Sequence, residues 1–348
     1  MLWGPLRENQ SCATARKIQA GRIDGTKKAG LRSGCQSVSV AGIFCPMKTS
    51  RSVLQLSHFS FLVAVLSAFW LPVTAQQPAA ASRLPLWKVE GKRCTVYLLG
   101  SVHFLKAEHY PLPAPIEAAF ERSKVAVFET DLVWANDPKM QAKLMEKAVL
   151  PSEQNLKDQL SPKLYGRLTK QLEASGLPLE TVEKLRPGMV AVTLALVEMQ
   201  KLGFNADLGV DRHFDQRARK AGKEIVGLEE AEFQIDLLTG FSKEEGEAML
   251  ASTLDDLHML KTELGELLKA WRTGDMKTVA DMLNKSMEAH PVMFQRLLVE
   301  RNKSWVPRIE QLARGDKDAI VIVGAGHLAG KQNVIEMLEK NGWKVTQQ

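Results

Sequence analysis

Two short stretches of this chain share one layout: Cys94-Thr95-Val96-Tyr97-Leu98-Leu99-Gly100-Ser101-Val102-His103 and Ala319-Ile320-Val321-Ile322-Val323-Gly324-Ala325-Gly326-His327. Each is an aliphatic, β-branched run, too short for a buried helix, that leads into a Gly-x-x-His tetrad. We therefore expect each histidine where a strand ends. In α/β sheets the carboxyl ends of the strands form the crevice in which ligands bind, so the layout predicts a functional site around His103 and His327.

The rest of the chain alternates between strand-like and helical patterns. Further strand-like runs lie at 86–90, 125–128, 224–226 and 343–346. Apolar residues repeat at three- and four-residue spacing, with Gly and Pro breakers between the repeats, at 140–149, 162–172, 189–202, 210–221, 243–271 and 276–287. We predict one α/β domain: a mixed central β-sheet flanked by helices, with a long helical middle segment.

Each tetrad also begins a β-α-β-like half. The early half continues through a helix at 116–122 to a strand ending at Glu129, and the late half through a helix at 333–340 to a strand ending near Gln347. Right-handed crossovers place the carboxyl ends of parallel strands on one edge, so the two halves are expected to bring the histidines together.

The third candidate for the site is Glu129, which ends the apolar run at 125–128. It is either a solvent-exposed strand cap or a ligand in the same crevice as the histidines. Two imidazoles and one carboxylate form a three-ligand set with an open position, as in catalytic zinc sites and non-haem iron centres. This pattern is compatible with a divalent metal, either zinc, manganese, cobalt or iron, held by His103, Glu129 and His327, although Glu and His also occur often at strand ends by chance.

Two other readings of the histidines and glycines are weaker. Residues 324–329 fit a loose dinucleotide-binding pattern, but no acidic residue closes the following strand, where a ribose partner belongs. His258 and His290 have no carboxylate at useful spacing, so surface or capping roles are expected for them.

The amino-terminal region resembles a targeting segment. Met47 is followed by Lys48 and Arg51, an apolar stretch at 59–70, and the small-residue sequence Pro72-Val73-Thr74-Ala75. We predict an unstructured extension at 1–46, which a start codon assigned too early would explain, a signal peptide at 47–75, a linker at 76–83 and the α/β domain at 84–348. The protein is expected to be exported to the periplasm. The alternatives are an uncleaved membrane anchor and, from the basic extension, an organellar transit peptide.

The positive net charge belongs to that amino-terminal region. The chain up to Gln76 holds nine Lys and Arg against two acidic residues, whereas the remainder holds 37 basic and 38 acidic residues. A nearly neutral mature chain gives no electrostatic reason to expect a nucleic-acid partner. Cys94 is the single cysteine after Gln76, which excludes an intramolecular disulfide framework there.

The order of several motifs resembles the TraB/PrgY/GumN family, which is related to the Tiki metalloproteases and to ChaN-like haem-binding proteins. The likeness runs from Leu84 to Thr346. In architecture the chain is similar to the bacterial GumN-like branch, whose members carry an export signal. It rests on Leu99-Gly100-Ser101-Val102-His103, Phe128-Glu129-Thr130, Gly209-Val210-Asp211, Val226-Gly227-Leu228-Glu229, Ala270-Trp271-Arg272-Thr273-Gly274-Asp275, Glu300-Arg301-Asn302-Lys303-Ser304-Trp305 and Val323-Gly324-Ala325-Gly326-His327-Leu328-Ala329-Gly330.

The resemblance implies a metal-dependent hydrolase that acts on a peptide or small-molecule substrate and cleaves a peptide or amide-like bond with a metal-activated water. The metal ligands would be His103, Glu129 and His327. Arg301 and Asn302 match an Arg-Asn pair of the family, for which we expect substrate or oxyanion contacts, with an ion pair or helix cap as the alternative. Asp211 and Glu229 match acidic positions of the family, and Glu229 is the candidate general base.

Two non-enzymatic functions remain open at this stage. The same histidines could hold a peptide or haem in an exported binding protein, and the family name also suggests an accessory role in polysaccharide biosynthesis. Membrane association is expected only through an uncleaved signal segment.

Overall fold

The computed structural model describes residues 83–287 and 291–348, apart from the side chains at 258–261 and 284–287. The predictions for the upstream extension, the signal peptide and nearly all of the linker lie outside the described residues. So do the imidazoles of His258 and His290.

Six strands form one mixed sheet: β1 (Leu86–Glu90), β2 (Thr95–Ser101), β3 (Val125–Thr130), β4 (Glu224–Glu229), β5 (Ala319–Gly324) and β6 (Val345–Gln347). Their order across the sheet is β4-β3-β5-β2-β1-β6. The four strands β4, β3, β5 and β2 pair in parallel, whereas β1 is antiparallel to both of its neighbours. The predicted fold class, α/β with a mixed central sheet, is confirmed.

The α-helices are α1 (Ala114–Arg122), α2 (Pro138–Ala148), α3 (Leu156–Gln159), α4 (Pro162–Ser175), α5 (Pro187–Lys201), α6 (Val210–Lys220), α7 (Ala231–Thr239), α8 (Lys243–Arg272), α9 (Met276–Met287), α10 (Pro291–Phe294), α11 (Glu300–Arg314) and α12 (Val334–Lys340). A π-helical turn, Gln295–Val299, precedes α11. Short 3-10 turns include Ala206–Leu208 before α6 and Ala325–His327 after β5. Among the described residues, no helix has the length and apolar character needed to cross a membrane.

The central strands have no polar face because helices cover both sides of the sheet. Along β5, Ile320 and Ile322 face a core formed with α1, α6, α8 and α9, whereas Val321 and Val323 face a core formed with α11 and α12. A continuous aliphatic run is what such a doubly covered strand requires. The middle of the chain forms a further helical layer, in which leucines of α4, α5 and α8 pack together.

The predicted β-α-β halves are present but cross the sheet differently. In the early half, β3 lies one strand away from β2, with β5 between them, whereas in the late half β6 reaches the far edge beyond β1. The important neighbours are therefore β2 and β5. They pair in parallel with Ser101 opposite Gly324, so the two tetrads leave the sheet side by side.

Four helices escaped the periodicity prediction; α3 and α10 have only four residues each, and the sequences of α7 and α11 show why these two were missed. The first turn of α11 buries Arg301 and Asn302 at positions where an amphipathic helix normally has apolar side chains, and the helix contains Pro307, which normally predicts a helix end. In α7 the apolar residues lie all round the helix, with Phe233 exposed.

Candidate metal centre at the carboxyl edge of the sheet

The predicted site residues lie along one edge of the sheet. The strand order places the carboxyl ends of β4, β3, β5 and β2 next to each other, and these ends carry or lead to Glu229, Glu129, His327 and His103. Thr130 pairs with Glu229 in register, and Ser101 pairs with Gly324. The expectation that the crossovers bring the two histidines to one edge is thus met.

His327 is buried and fixed by Asn302. Its side chain is 4% exposed, and Nδ1 lies 2.6 Å from Asn302 Oδ1. Asn302 Nδ2 donates to the carbonyl of Gln332 at 2.9 Å, so its oxygen faces His327 and Nδ1 carries the proton. Burial lowers the pKa of His327 to about 3, with Arg301 acting in the same direction and Glu129 opposing. The ring is therefore neutral at pH 7, with the lone pair on Nε2.

His103 is held by a carboxylate and is more open. Its Nδ1 lies 3.3 Å from Asp211 Oδ2, and its side chain is 42% exposed. Burial opposes the charged ring, but the carboxylates of Asp211 and Glu129 outweigh it and raise the pKa of His103. With Nδ1 donating to Asp211, the other nitrogen, Nε2, faces the site.

A glycine allows Asp211 to reach that histidine. A Cβ on Gly209 would lie 2.3 Å from the carbonyl oxygen of His103, so only glycine permits this approach of the start of α6 to the first tetrad. The amide of Val210 also donates to the carbonyl of Val102 at 3.0 Å. The Gly209-Val210-Asp211 motif thus serves to place one carboxylate behind His103.

Glu129 is held ionised between two donors. Its Oε1 accepts from the amide of Gly324 at 2.8 Å, and Oε2 accepts from Arg301 Nη2 at 2.7 Å. Burial alone would raise the pKa of Glu129, but Arg301, His327 and His103 hold it well below its usual range. Glu129 is therefore a carboxylate inside the site and is not the exposed strand cap that was the alternative.

Arg301 joins the two glutamates. It forms a bidentate pair with Glu229, with Nε to Oε1 at 2.8 Å and Nη2 to Oε2 at 2.9 Å, in addition to its bond to Glu129. Its Nη1 donates to His327 Nε2 at 3.2 Å. The guanidinium also lies 4.7 Å from the ring centre of Trp305. Burial disfavours this charge, but Glu129 and Glu229 raise the pKa of Arg301 above its already high value.

The three candidate ligands surround the α-carbon of Gly324. A Cβ at this position would lie 3.3 Å from Glu129 Oε1, 3.6 Å from His327 Cδ2 and 3.7 Å from His103 Nε2. His327 Nε2 lies 3.9 Å from Glu129 Oε1. Glycine thus keeps free the space between the three side chains. Among the described residues, no three His, Cys, Asp or Glu side chains stand at metal-binding distances from one point, and Arg301 contacts two of the three candidates.

Two cavities meet at this centre. The larger, of about 420 Å³, opens between the centre and α8, α9 and the π-helical turn, and the smaller, of about 240 Å³, opens towards α6 and α7. They share Ser101, His103, Glu129, Leu297 and Arg301. A substrate bound across these shared residues would extend into both cavities.

The structure separates the expected catalytic residues into two groups. Arg301 forms the ion pairs that were the alternative expectation, with Glu129 and Glu229, and it also lines both cavities. Glu229 lines neither, and its oxygens are occupied by Arg301 and by Trp305 Nε1 at 2.9 Å. This placement argues against the general-base role expected for Glu229. Asn302 is likewise turned towards His327 and Gln332, which argues against the expected substrate contact.

The sequence reasoning missed one site residue and underrated another. Ser101 lines both cavities, and its buried Oγ has no hydrogen-bond partner among the described residues. Its position inside the first Gly-x-x-His tetrad was the available signal. Trp271 belongs to one of the family motifs but was not counted among the site residues; its indole donates to the carbonyl of Gly100 at 2.7 Å, and it lines the larger cavity.

The chain resembles known proteins over most of the described region. It is 25% identical over 246 residues to the uncharacterized protein YbaP of Escherichia coli (strain K12), covering 70% of this chain and 87% of YbaP. It is 24% identical over 311 residues to metalloprotease TIKI2 of Xenopus tropicalis, and 23% identical over 303 residues to metalloprotease TIKI1 of Homo sapiens. These matches cover 75% and 72% of this chain but 59% of each of those longer proteins.

No solved structure matches the chain significantly. The profile of the TraB/PrgY/gumN family, however, matches residues 85–347, which include all six strands and both Gly-x-x-His tetrads. The chain therefore belongs to the TraB/PrgY/gumN family.

Proposed function

We propose that this protein is a metal-dependent hydrolase that cleaves a peptide or other amide-like bond, with His103, Glu129 and His327 as ligands of a divalent cation. The observation that carries the proposal is the way both rings are held. In each histidine, Nδ1 is engaged by a side-chain oxygen, of Asp211 or Asn302, and Nε2 faces the centre. This is the arrangement in which proteins orient metal-binding histidines.

The donor types of the three side chains suit such an ion. Two imidazole nitrogens and a carboxylate oxygen suit zinc, manganese, cobalt or iron, and they face the space that Gly324 keeps free. The contact between Arg301 Nη1 and His327 Nε2 is the one that a cation would replace. A divalent ion with an open position supplies a Lewis acid that activates water and polarises a carbonyl. The family relationship to proteins named as metalloproteases supports the same assignment.

Two further side chains have separate roles, one in stabilising charge and the other in accepting a proton. Arg301 lines both cavities and keeps its positive charge, and a cation that replaced its contact with His327 would free one Nη1 hydrogen to stabilise negative charge on a substrate carbonyl oxygen. Asp211 lines the smaller cavity, and its buried Oδ1 has no hydrogen-bond partner among the described residues. We assign the proton-accepting role to Asp211 in place of Glu229. Asn302 and Glu229 are positioning residues, which hold His327 and Arg301.

The proposal is tested with the full chain and a quenched-fluorescence peptide library, at saturating zinc. We expect turnover that 1,10-phenanthroline abolishes and added zinc restores. Asp211→Asn should lower kcat about 100-fold or more with zinc bound. The matched control is Asp215→Asn, which changes a buried carboxylate one turn further along α6 and should leave kcat unchanged.

Two outcomes would contradict the proposal. One is peptide cleavage that persists after complete removal of metal. The other is the absence of turnover together with a Soret band on addition of haemin that His103→Ala and His327→Ala remove, which would support the binding-protein alternative.

A further inference from the structure

The two cavities that meet at the candidate centre differ in chemistry. The wall of the larger cavity is almost entirely aliphatic and aromatic, and it includes Leu264, Leu267, Leu283 and Leu298. Among its described lining residues, the charged or titratable side chains are those of the centre itself: His103, Glu129, Arg301 and His327. Outside the centre, the described lining of this cavity therefore carries no charged or titratable side chain.

Close packing brings this wall next to the second tetrad. A Cβ on Gly326 would lie 3.3 Å from Leu283 Cδ1 and 3.8 Å from Leu298 Cδ2, so the two leucines face the backbone that precedes His327. Phe104, which follows His103, also lines this cavity. Any group that reaches the centre from this side must pass between apolar side chains.

The smaller cavity is more polar than the larger one. Its lining includes Thr130, Asp211 and Gln234 beside apolar side chains, and the buried Asp211 Oδ1 and Ser101 Oγ have no hydrogen-bond partner among the described residues. Unpaired acceptors cost free energy when an apolar group covers them, so a substrate gains by placing its polar part here. An apolar group of the substrate is thereby directed to the larger cavity.

We infer that the larger cavity binds a large apolar amino-acid side chain, of the size of leucine, methionine or phenylalanine, next to the bond that is cleaved. Its volume of about 420 Å³ lies within the range of ligand pockets, roughly 300–1,000 Å³, and leaves room for such a side chain. A charged or strongly polar side chain would be desolvated there without a partner. This inference rests on the proposed hydrolase function and specifies its substrate class.

The test uses four amino-acid hydroxamates, those of leucine, phenylalanine, alanine and aspartate, whose hydroxamate group binds zinc. Calorimetry measures their affinity for the zinc-loaded full chain, and elemental mass spectrometry measures the zinc content of each sample. We expect the leucine and phenylalanine compounds to bind at least ~10-fold more tightly than the alanine and aspartate compounds, because they bury the additional apolar carbons.

A pair of variants locates the effect. Leu298→Gln should remove most of the preference for the two large apolar compounds and keep the zinc content. The control Leu179→Gln changes a leucine that is also partly buried but lies outside both cavities, and it should behave like the parent.

The outcomes separate the inference from the proposed function. Normal zinc content with equal affinity for all four hydroxamates, or with an unchanged preference in Leu298→Gln, would overturn the apolar pocket and leave the metal site in place. Failure of the parent chain to take up zinc would overturn the proposed function, and the inference with it.

Discussion

The two histidines of the centre are held in opposite ways, although both follow a strand in a Gly-x-x-His tetrad. His327 is buried, neutral and part of a polar network with Asn302, Arg301, Glu129 and Glu229. His103 is 42% exposed, rests on one carboxylate, and has a raised pKa. One half of the centre is thus built into the core, and the other half stays open to substrate and solvent.

This difference explains why the buried half requires so many partners. A buried guanidinium and two buried carboxylates are stable only when each charge is hydrogen-bonded, and the described contacts satisfy that condition. The open half can complete its hydrogen bonds with water. We therefore expect changes in the buried half to affect both stability and metal binding, and changes in the open half to affect mainly metal binding.

The largest effect is expected from Arg301→Met, which leaves Glu129 and Glu229 buried without their cation. The free energy of unfolding should fall by about 3–5 kcal/mol. Urea unfolding followed by circular dichroism measures it. The control Arg308→Met changes an exposed arginine on the same helix and should cost less than about 1 kcal/mol. If both variants lowered the free energy of unfolding by the same amount, the distinction between the buried half and the open half of the centre would be wrong.

A smaller effect should separate the two orienting residues. Asn302→Ala leaves the buried Nδ1 of His327 without a partner and should destabilise the protein by about 1–3 kcal/mol. Asp211→Asn should leave the free energy of unfolding within about 0.5 kcal/mol, because His103 can donate to water. Both should weaken zinc binding by about 10- to 100-fold in a competition assay with a fluorescent chelator. If Asp211→Asn lowered the free energy of unfolding and Asn302→Ala did not, the expected difference between the two orienting residues would be reversed.

The two histidines should also give opposite pH dependences in metal-free protein. The folded pKa of His327, about 3, lies below the unfolded value of about 6.5, so the unfolded state binds a proton first and stability falls as the pH drops from 6.5 towards 3. The raised pKa of His103 has the opposite sign, with stability present at low pH and lost as the pH rises through the folded pKa.

Urea unfolding at pH 6.5 and pH 5.5 checks these signs. His327→Gln should reduce the loss of stability on acidification by about 1 kcal/mol, whereas His103→Gln should increase that loss. If the two substitutions change the pH dependence in the same direction, the contrast between the histidines is wrong.

The smallest effect on stability is expected at the point where the cavities meet. Ser101→Ala removes a buried hydroxyl that has no hydrogen-bond partner among the described residues, so the free energy of unfolding should change by less than about 0.5 kcal/mol. The same substitution should nevertheless weaken the binding of the hydroxamates, since Ser101 lines both cavities. A clear loss of stability would show that the hydroxyl has a structural role instead.

The strand pattern was sufficient to predict the edge of the sheet and three residues on it. His103, Glu129 and His327 all follow from apolar runs that end in a polar residue, and parallel strands bring such ends together. The family match supports the same region, and the helix bounds in the middle of the chain agree within a few residues with the periodicity.

The partners of those residues could not be predicted in the same way. Arg301 lies on a helix that is 172 positions from Glu129 in sequence, and its role depends on how α11 packs against the sheet. The choice between Asp211 and Glu229 likewise depends on the close approach at Gly209 and on Trp305, neither of which leaves a periodic signal. That His103, Glu129 and His327 bind a metal is still a prediction.

The most direct test of that prediction is the metal content of the full chain, purified without chelator and measured by elemental mass spectrometry. It is compared with the double variant His103→Ala, His327→Ala and with His109→Ala, whose histidine lies outside both cavities. We predict about one equivalent of zinc, manganese, cobalt or iron in the parent and in His109→Ala, and little in the folded double variant. The same metal content in all three proteins, or none in the parent after reconstitution, would contradict the metal centre.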